Sequence, residues 1–323
     1  MRVVMMGTGE FAEPTFDALL ASGHEVAGLV TNPDRPAGKH REMLRGMKKI
    51  ALARNVPVFQ PESINTPEGV AGLAAFRPEL LVVAAYGQIL SNEVLSVPPL
   101  GGVNVHASLL PKYRGAAPIN WAIYHGETKT GVTIIRMSVS LDAGDMLAQE
   151  ATDILPDENA GALEVRLAPL GARLALDIVN RLQAGPVDGQ KQDKSHVTKA
   201  PKQTKAHGLI DWNRSAEQVA NQIRAMQPWP TAYTFLHRAN HPPLRVIVFR
   251  TGNKIVAPSG ADHPPAGSVL GLTDNDHLWL ATGANTGIAL AELQPSGKKR
   301  MSAADFLRGH PLEPGAHFGP ESA

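Results

Sequence analysis

The chain has 323 residues, of which 43% are hydrophobic and 19% charged, so it can bury a sizeable core, and its length favours two domains. It has no cysteine, which excludes disulfides and thiolate zinc sites, and its net charge is only +1. Because no apolar stretch reaches the roughly 18 residues of a membrane span and the N-terminus lacks signal-peptide features, we expect a cytoplasmic protein without a membrane partner.

The first half alternates apolar runs with segments of helical spacing. Such alternation predicts an α/β fold built from parallel βαβ units, with helices on both faces of the sheet. In sheets of this kind, ligands bind outside the carboxyl ends of the strands. We therefore place the candidate site after the third and fourth of the runs RVVMMGT, HEVAGLVTN, ELLVVAAYG and GGVNVH.

Three segments follow along the chain. Residues 130–147 predict two strands joined by a tight turn, and a long helical pattern then ends at Gly185, with a kink or break expected at Pro169. Residues 186–205 are polar and lysine-rich, which predicts a basic linker. Residues 206–323 combine one helix with several short strands, which indicates a small β-barrel-like domain. The predicted domains are therefore 1–185 and 206–323.

Two motifs resemble known sites without completing them. Gly7, Gly9 and Ala12 follow the first strand with dinucleotide-binding spacing, but Asp34, the acid after the second strand, lies in a loop flanked by prolines and is poorly placed for a ribose, so we expect no NAD. His237 and His241 have the spacing of a metal pair on a helix, but they have no third ligand nearby and prolines follow them. We interpret this segment as a surface turn and predict no metal.

The stretch NVHASLLPKYRG carries the strongest chemical signal. Asn104 and His106 lie two residues apart on a strand, so their side chains project to one face. A histidine at a strand end is often only structural, but Asp142 and Asp145 follow in a glycine-containing turn at another strand end. An amide, an imidazole and a carboxylate together suit acyl transfer without a protein nucleophile. Ser108 lacks a nucleophile elbow, so its hydroxyl either caps the loop or binds a ligand.

Residues 35–54 hold seven basic side chains and one acidic one, Glu42. Such a cluster is either a solvated surface or a contact for nucleic-acid phosphates. The lysines of the predicted linker and the run at 298–300 leave the same two alternatives open.

The segments NVHASLLPKYRGAAPINWAI, AYGQIL and LDAGDML resemble those of the 10-formyltetrahydrofolate-dependent formyltransferase family, and the match runs almost end to end. The resemblance implies a Rossmann-like N-terminal domain that binds 10-formyltetrahydrofolate, and a C-terminal domain like an OB barrel. It also implies that Asn104, His106 and Asp142 are catalytic. The folate contacts that it implies are Ser108, Leu109, Leu110 and Pro111, with Tyr86, Gly87, Gln88 and Ile89 lining the pterin pocket.

The C-terminal segments GLIDWNRSAEQVANQIRAM and LQPSGKKRMSAADFLRG resemble family members whose acceptor is initiator methionyl-tRNA. The run HREMLRGMKKIA departs from the usual family wording but keeps its charge, with Arg41 in place of an acceptor-stem arginine. We expect a monomer. The tRNA contacts that this resemblance favours are Arg35, Lys39, Arg41, Arg45, Lys48, Lys49, Lys202, Lys205, Lys298, Lys299 and Arg300, with Lys191, Lys194 and Lys199 as further candidates in the linker.

Two alternatives remain open at this stage. The first is a formyltransferase that acts on a nucleotide-linked amino sugar, which would have no need of the basic linker or of LQPSGKKRMSAADFLRG. The second is a catalytically inactive folate- or tRNA-binding protein. The joint presence of Asn104, His106 and Asp142 argues against the second alternative.

Overall fold

The computed structural model describes residues 1–34, 46–256, 264–273 and 275–322, with the backbone alone at 253–256. The chain forms two compact units. The first comprises Met1–Pro118, Lys129–Asp153 and Ala162–Pro201; the second comprises Ile119–Thr128, Ile154–Gly161 and Lys202–Ala323. Two short stretches of the first predicted domain therefore belong to the second unit.

A mixed seven-stranded sheet forms the centre of the first unit, in the order β3-β2-β1-β4-β5-β7-β8. Strands β1 to β5 pair in parallel, as predicted, whereas β7 pairs antiparallel with both β5 and β8. Among the residues that the structure describes, the strands of this unit are β1 (Arg2–Gly7), β2 (Glu25–Val30), β3 (Val58–Phe59), β4 (Leu80–Ala84), β5 (Gly102–His106), β6 (Arg114–Gly115), β7 (Lys129–Arg136), β8 (Met146–Asp153) and β9 (Lys199–Ala200).

The central strands are apolar on both faces because helices cover a parallel sheet on both sides. Every residue of β4 is buried, and Val3 to Met6 of β1 are fully buried. The chain has eight α-helices within the described residues: α1 (Glu13–Leu20), α2 (Gly46–Ala53), α3 (Pro67–Ala75), α4 (Asn92–Leu95), α5 (Pro118–Tyr124), α6 (Ala160–Ala184), α7 (Ala216–Ala225) and α8 (Ala303–Gly309).

Helix α6 runs unbroken through Pro169, so a break into two helices is the wrong interpretation. Proline removes one backbone donor, here the N–H that would bond to the carbonyl of Val165. Pro169 and Val165 both lie on an exposed face of the helix, where water can satisfy that carbonyl. Within the described part of the chain, no helix is long and apolar enough to cross a membrane.

The second unit is built on an antiparallel sheet in the order β12-β13-β14-β11-β10-β16, with β15 paired to β14. Helix α7 begins with a capping box, in which the Ser215 hydroxyl and the Gln218 side chain bond each other's backbone N–H. The predicted α/β class with a C-terminal β domain is confirmed. The strands of the second unit are β10 (Ala232–Arg238), β11 (His241–Val256), β12 (Val269–Leu272), β13 (Leu278–Thr282), β14 (Thr286–Pro295), β15 (Met301–Ser302) and β16 (His317–Gly319).

Candidate active site

Strand β5 presents the two polar side chains predicted from its sequence. Val103 and Val105 are buried in the sheet, while Asn104 and His106 alternate with them along the strand. Asn104 lies between Val83 of β4 and Ile135 of β7 in the ladder, so its backbone is fixed on both sides. The side chain of His106 is only 5% exposed, so its polar atoms need partners within the protein.

The ring of His106 is oriented by a backbone carbonyl. Its Nε2 lies 2.9 Å from the carbonyl oxygen of Tyr113. Because a carbonyl can only accept, Nε2 carries a proton and donates it to this bond. The other ring nitrogen, Nδ1, faces Asp142 at 3.7 Å from Oδ2, so Nδ1 is the atom available for chemistry.

Both oxygens of the Asp142 carboxylate have partners. Oδ1 accepts a hydrogen bond from Asn104 Nδ2 at 3.4 Å, and Oδ2 accepts one from the backbone N–H of Gly115 at 2.8 Å. Asp142 itself adopts a left-handed backbone conformation with φ of 49°, which is uncommon outside glycine. The structure therefore brings together the three side chains that sequence analysis singled out.

Only glycine fits at position 115. Its φ is 130°, and a Cβ built there would lie 2.4 Å from the carbonyl oxygen of Ala200. Strands β6 and β9 run side by side here, with Gly115 opposite Ala200. The close passage of these strands is what allows the Gly115 N–H to reach the Asp142 carboxylate.

The loop 108–111 is hydrogen-bonded to side chains of β7 and β8. Thr133 donates its hydroxyl to the Ser108 carbonyl at 2.6 Å and accepts the Leu110 N–H at 3.1 Å. Gln149 donates to the Leu110 carbonyl at 3.0 Å. The Ser108 hydroxyl is fully buried and donates to the Lys112 carbonyl at 2.7 Å, which is a loop-closing bond. Leu109 and Pro111 remain partly exposed.

The residues 86–89 divide between the core and the surface. Tyr86 is 2% exposed, and burial raises the pKa of its phenol to about 12. Asn32 donates to the Tyr86 carbonyl at 2.7 Å and accepts from Gln88 Nε2 at 3.0 Å, which ties this loop to the end of β2. Gly87 has a φ of 81°, and Ile89 is 64% exposed. Ile89 is thus the side chain of this loop that faces solvent.

The predicted tRNA contacts of the first unit are only partly described. Arg35, Lys39, Arg41 and Arg45 lie outside the described residues. Lys48, which is described, pairs with the carboxylate of Asp34 and donates to Gln60 Oε1 at 2.7 Å. Lys49, on the next position of α2, is exposed.

The predicted contacts of the second unit lie on its surface. Lys202, Lys205, Lys298 and Lys299 are exposed. Arg300 is different, because its guanidinium pairs with Glu292 and lies 4.6 Å from the centroid of the Phe249 ring.

The histidine pair of the sequence analysis lies in the hairpin between β10 and β11. His241 is paired with Arg238 at the turn, and His237 Nε2 donates to the Pro320 carbonyl at 2.7 Å. Within the residues that the structure describes, no group of three or more histidine, aspartate or glutamate side chains could hold a metal ion.

Several contacts at the site carry no recognisable sequence signal. The Tyr113 carbonyl and the Gly115 N–H are backbone groups, so residue type does not reveal them. Gln192 belongs to the polar segment predicted as a linker, yet its side chain bonds the carbonyls of Asp142 and Gly144, at 2.8 Å each.

Both halves of the chain match known family models. The model described as formyl transferase matches residues 1–179, and the model of the formyl transferase C-terminal domain matches residues 202–311. Fold and site thus define a formyl transferase, an enzyme that moves a one-carbon formyl group to an acceptor.

Relatives narrow this class. The methionyl-tRNA formyltransferase of Citrifermentans bemidjiense is 43% identical over 324 residues, which cover 100% of this chain and 98% of the relative. That of Bacillus subtilis is 41% identical over 319 residues, with 98% of each chain covered. The solved structure of the sugar 3N-formyl transferase WlaRD shares the fold, with a TM-score of 0.64, 16% identity, and coverage of 93% and 99% of the two chains. The chain belongs to the methionyl-tRNA formyltransferase family, which confirms the resemblance found in the sequence.

Proposed function

We propose that the enzyme transfers the formyl group of 10-formyltetrahydrofolate to the α-amino group of methionine carried by initiator tRNA, in the cytoplasm and as a monomer. One observation carries the proposed mechanism: Asn104 and His106 converge on the Asp142 carboxylate at 3.4 and 3.7 Å. Family membership over the full chain supports the choice of acceptor.

The attacking group needs little activation. An α-amino group has a pKa of about 7.7, so a useful fraction is neutral near pH 7. The transfer forms a bond between this nitrogen and the formyl carbon and breaks the bond from that carbon to N10 of the folate. One proton leaves the attacking nitrogen and one must reach N10, so the site needs a proton acceptor and a proton donor.

Asn104 and His106 supply donors to the formyl oxygen, which gains negative charge as its carbon is attacked. The two N–H groups that we assign to this oxygen are Asn104 Nδ2 and, in the protonated ring, His106 Nδ1. Their distances to Asp142 are at or beyond the limit of a good hydrogen bond, so both can turn towards a substrate oxygen. Stabilising such an oxygen with fixed donors is commonly the largest contribution to catalysis.

Asp142 takes part in both proton transfers. Its carboxylate faces His106 Nδ1, and the Gly115 N–H fixes its orientation. It accepts a proton from the attacking amine, directly or through one water, and the protonated His106–Asp142 pair returns a proton to N10.

The folate is proposed to lie along the loops 86–89 and 108–111. Parallel pairing of β4 with β5 brings both loops to one edge of the sheet. The exposed Ile89 and the partly exposed Leu109 and Pro111 fit an apolar, planar ring system. Since the Ser108 hydroxyl already bonds the Lys112 carbonyl, this loop contributes apolar surface and backbone groups.

The acceptor tRNA is proposed to be bound by exposed lysines. In this assignment residues 1–185 carry the chemistry, 186–205 form a basic connection and 206–323 bind tRNA. Lys202, Lys205, Lys298 and Lys299 are exposed, so their ammonium groups are accessible to phosphates.

Formyl transfer to three acceptors in parallel tests the proposal: methionyl initiator tRNA, methionyl elongator tRNA and a UDP-amino sugar, each with 10-formyltetrahydrofolate. We expect rapid formylation of the initiator tRNA, slower formylation of the elongator tRNA and none of the sugar. Formylation of the sugar alone would overturn the acceptor, and the absence of any formylation would overturn the proposed reaction.

A further inference from the structure

The segment Gln190–Ala200, here called the strap, is bonded to the first unit along its length. Gln190 and Met146 exchange two backbone hydrogen bonds, both of 2.8 Å. At the other end, Lys199 and Ala200 form β9 and pair in parallel with Arg114 and Gly115 of β6. The strap therefore lies between β8, which begins at Met146 just after the Asp142 turn, and β6, whose Gly115 N–H bonds the Asp142 carboxylate.

Gln192 reaches the loop that carries Asp142. Its Nε2 donates to the carbonyl oxygens of Asp142 and Gly144, at 2.8 Å each. Its Oε1 accepts from Nε and Nη2 of Arg114, at 3.0 and 2.8 Å. One half-buried amide thus uses its donor and acceptor atoms to join the Asp142 turn to β6, whose Gly115 N–H bonds the Asp142 carboxylate.

Thr198 reaches the residue that orients His106. Its hydroxyl oxygen accepts the Tyr113 N–H at 2.8 Å, and its carbonyl accepts the Arg114 N–H at 2.9 Å. The carbonyl of Tyr113 in turn holds Nε2 of His106. Two hydrogen bonds, both made by the backbone of Tyr113, therefore link the Thr198 side chain to the imidazole of His106.

Two of the residues that the strap contacts, Asp142 and Tyr113, have an unusual backbone conformation. Asp142 has a φ of 49° and Tyr113 a φ of 63°, and neither is a glycine. Such conformations persist only where surrounding contacts hold them. Gln192 bonds the backbone carbonyl of Asp142. Thr198 bonds the backbone N–H of Tyr113, whose carbonyl orients His106.

We propose that Gln192 and Thr198 are positioning residues for formyl transfer, and that the strap they belong to is part of the catalytic apparatus as well as a connection between domains. This inference rests on the proposed function, because it takes Asp142 and His106 as the groups that act on the substrate. Displacement of catalytic groups by about 1 Å can reduce a rate by roughly 100-fold.

The test compares variants that differ by single hydrogen bonds. Thr198→Val removes the acceptor at nearly constant shape, whereas Thr198→Ser keeps it. Gln192→Met removes all four contacts of the amide. Ser195→Ala is the matched control, because this exposed hydroxyl of the strap donates to Asp193. Initial rates with methionyl initiator tRNA give kcat and KM, and the thermal unfolding midpoint reports folding.

We expect Thr198→Val and Gln192→Met to lower kcat by about 10- to 100-fold with little change in KM, and Thr198→Ser and Ser195→Ala to keep wild-type kcat. Wild-type kcat in folded Thr198→Val and Gln192→Met overturns the inference, as does a loss in Thr198→Ser equal to that in Thr198→Val. If Gln192→Met does not fold, the Thr198 pair decides. Failure of the wild-type enzyme to formylate the tRNA contradicts the proposed function instead, so the two failures are distinguishable.

Discussion

At the scale of single residues, Asp142 is the side chain on which the site depends. Its Oδ1 accepts from Asn104 and its Oδ2 accepts from the Gly115 N–H and faces His106. Removing any one of the three side chains therefore removes a donor or acceptor needed during transfer and leaves the others less well placed. Because the three act as one unit, the effects of their removal should not be additive.

We expect Asn104→Ala, His106→Ala and Asp142→Ala each to lower kcat by roughly 10²–10³-fold. The affinity for tRNA should stay near the wild-type value, since the proposed tRNA contacts lie elsewhere. Single-turnover formylation and a tRNA-binding titration measure the two effects separately. Ser138→Ala is the control, because Ser138 lies in the same loop as Asp142, between β7 and β8, and its hydroxyl donates to the Ser140 carbonyl. A His106→Ala enzyme with near-normal turnover would contradict the assignment.

At the scale of secondary-structure elements, the passage of β6 along β9 sets a steric requirement. Gly115→Ala places a Cβ 2.4 Å from the Ala200 carbonyl, at a φ of 130° that favours glycine. We expect this variant to lose about 1–3 kcal/mol of unfolding free energy, because β6 and β9 must move apart. We also expect turnover to fall at least tenfold, because the hydrogen bond from the backbone N–H of residue 115 to Asp142 becomes longer. Urea unfolding and initial rates measure both effects.

The control for this variant is Gly185→Ala, at the end of α6. A Cβ built at Gly185 meets nothing within 4 Å, and its φ is not in the left-handed region. It should unfold at the wild-type urea concentration. If Gly115→Ala is as stable and active as Gly185→Ala, the close passage of the two strands does not constrain the site.

Helix α6 carries a half-buried carboxylate whose environment disfavours its charge. Burial, with a smaller effect of the nearby Glu10 carboxylate, raises the pKa of Glu164, while the backbone of Phe11 opposes this through a hydrogen bond. A carboxyl with a raised pKa in the folded state stabilises the fold where it is protonated, and this stabilisation is lost as the pH rises through that pKa. The charged form present at neutral pH therefore weakens the folded protein.

Glu164→Gln should consequently raise the thermal unfolding midpoint by about 2 °C at pH 7, because the amide keeps an acceptor for Phe11 without the charge. The gain should vanish below pH 4.5, the ordinary pKa of glutamate, where both proteins are uncharged at this position. Glu93→Gln is the control, since a hydrogen bond from Ser91 lowers the pKa of Glu93. It should bring no gain at pH 7, and an equal gain in both variants would contradict burial as the cause.

The elements themselves are partly predictable because hydrophobic pattern decides them. The alternation of GGVNVH correctly indicated a strand with Asn104 and His106 on one face. The side chain of Gln192 was not predictable, because a glutamine in a polar run has no pattern that identifies its partners. Pro169 wrongly suggests a break in α6, because the low helix propensity of proline does not show that this residue lies on the exposed face of a long packed helix.

At the scale of the whole molecule, a polar composition does not by itself separate a segment from a compact unit. The segment from 186 is polar, yet its residues up to Pro201 belong to the first unit, and the last stretch of the second unit starts at Lys202. The reason is that backbone pairing and side-chain amides, as at Ala200 and Gln192, hold this segment without apolar burial. Composition detects hydrophobic packing well and hydrogen-bonded attachment poorly.

Binding of tRNA depends on the charges of the whole molecule, and it should weaken as salt rises because phosphate contacts release counterions. We expect Lys298→Gln and Lys299→Gln each to reduce the slope of log affinity against log salt by about one, measured between about 50 and 200 mM salt. Arg300→Gln should change the slope less, because Glu292 already compensates that guanidinium and Phe249 covers it. A slope unchanged in both lysine variants would place the tRNA away from the turn between β14 and β15.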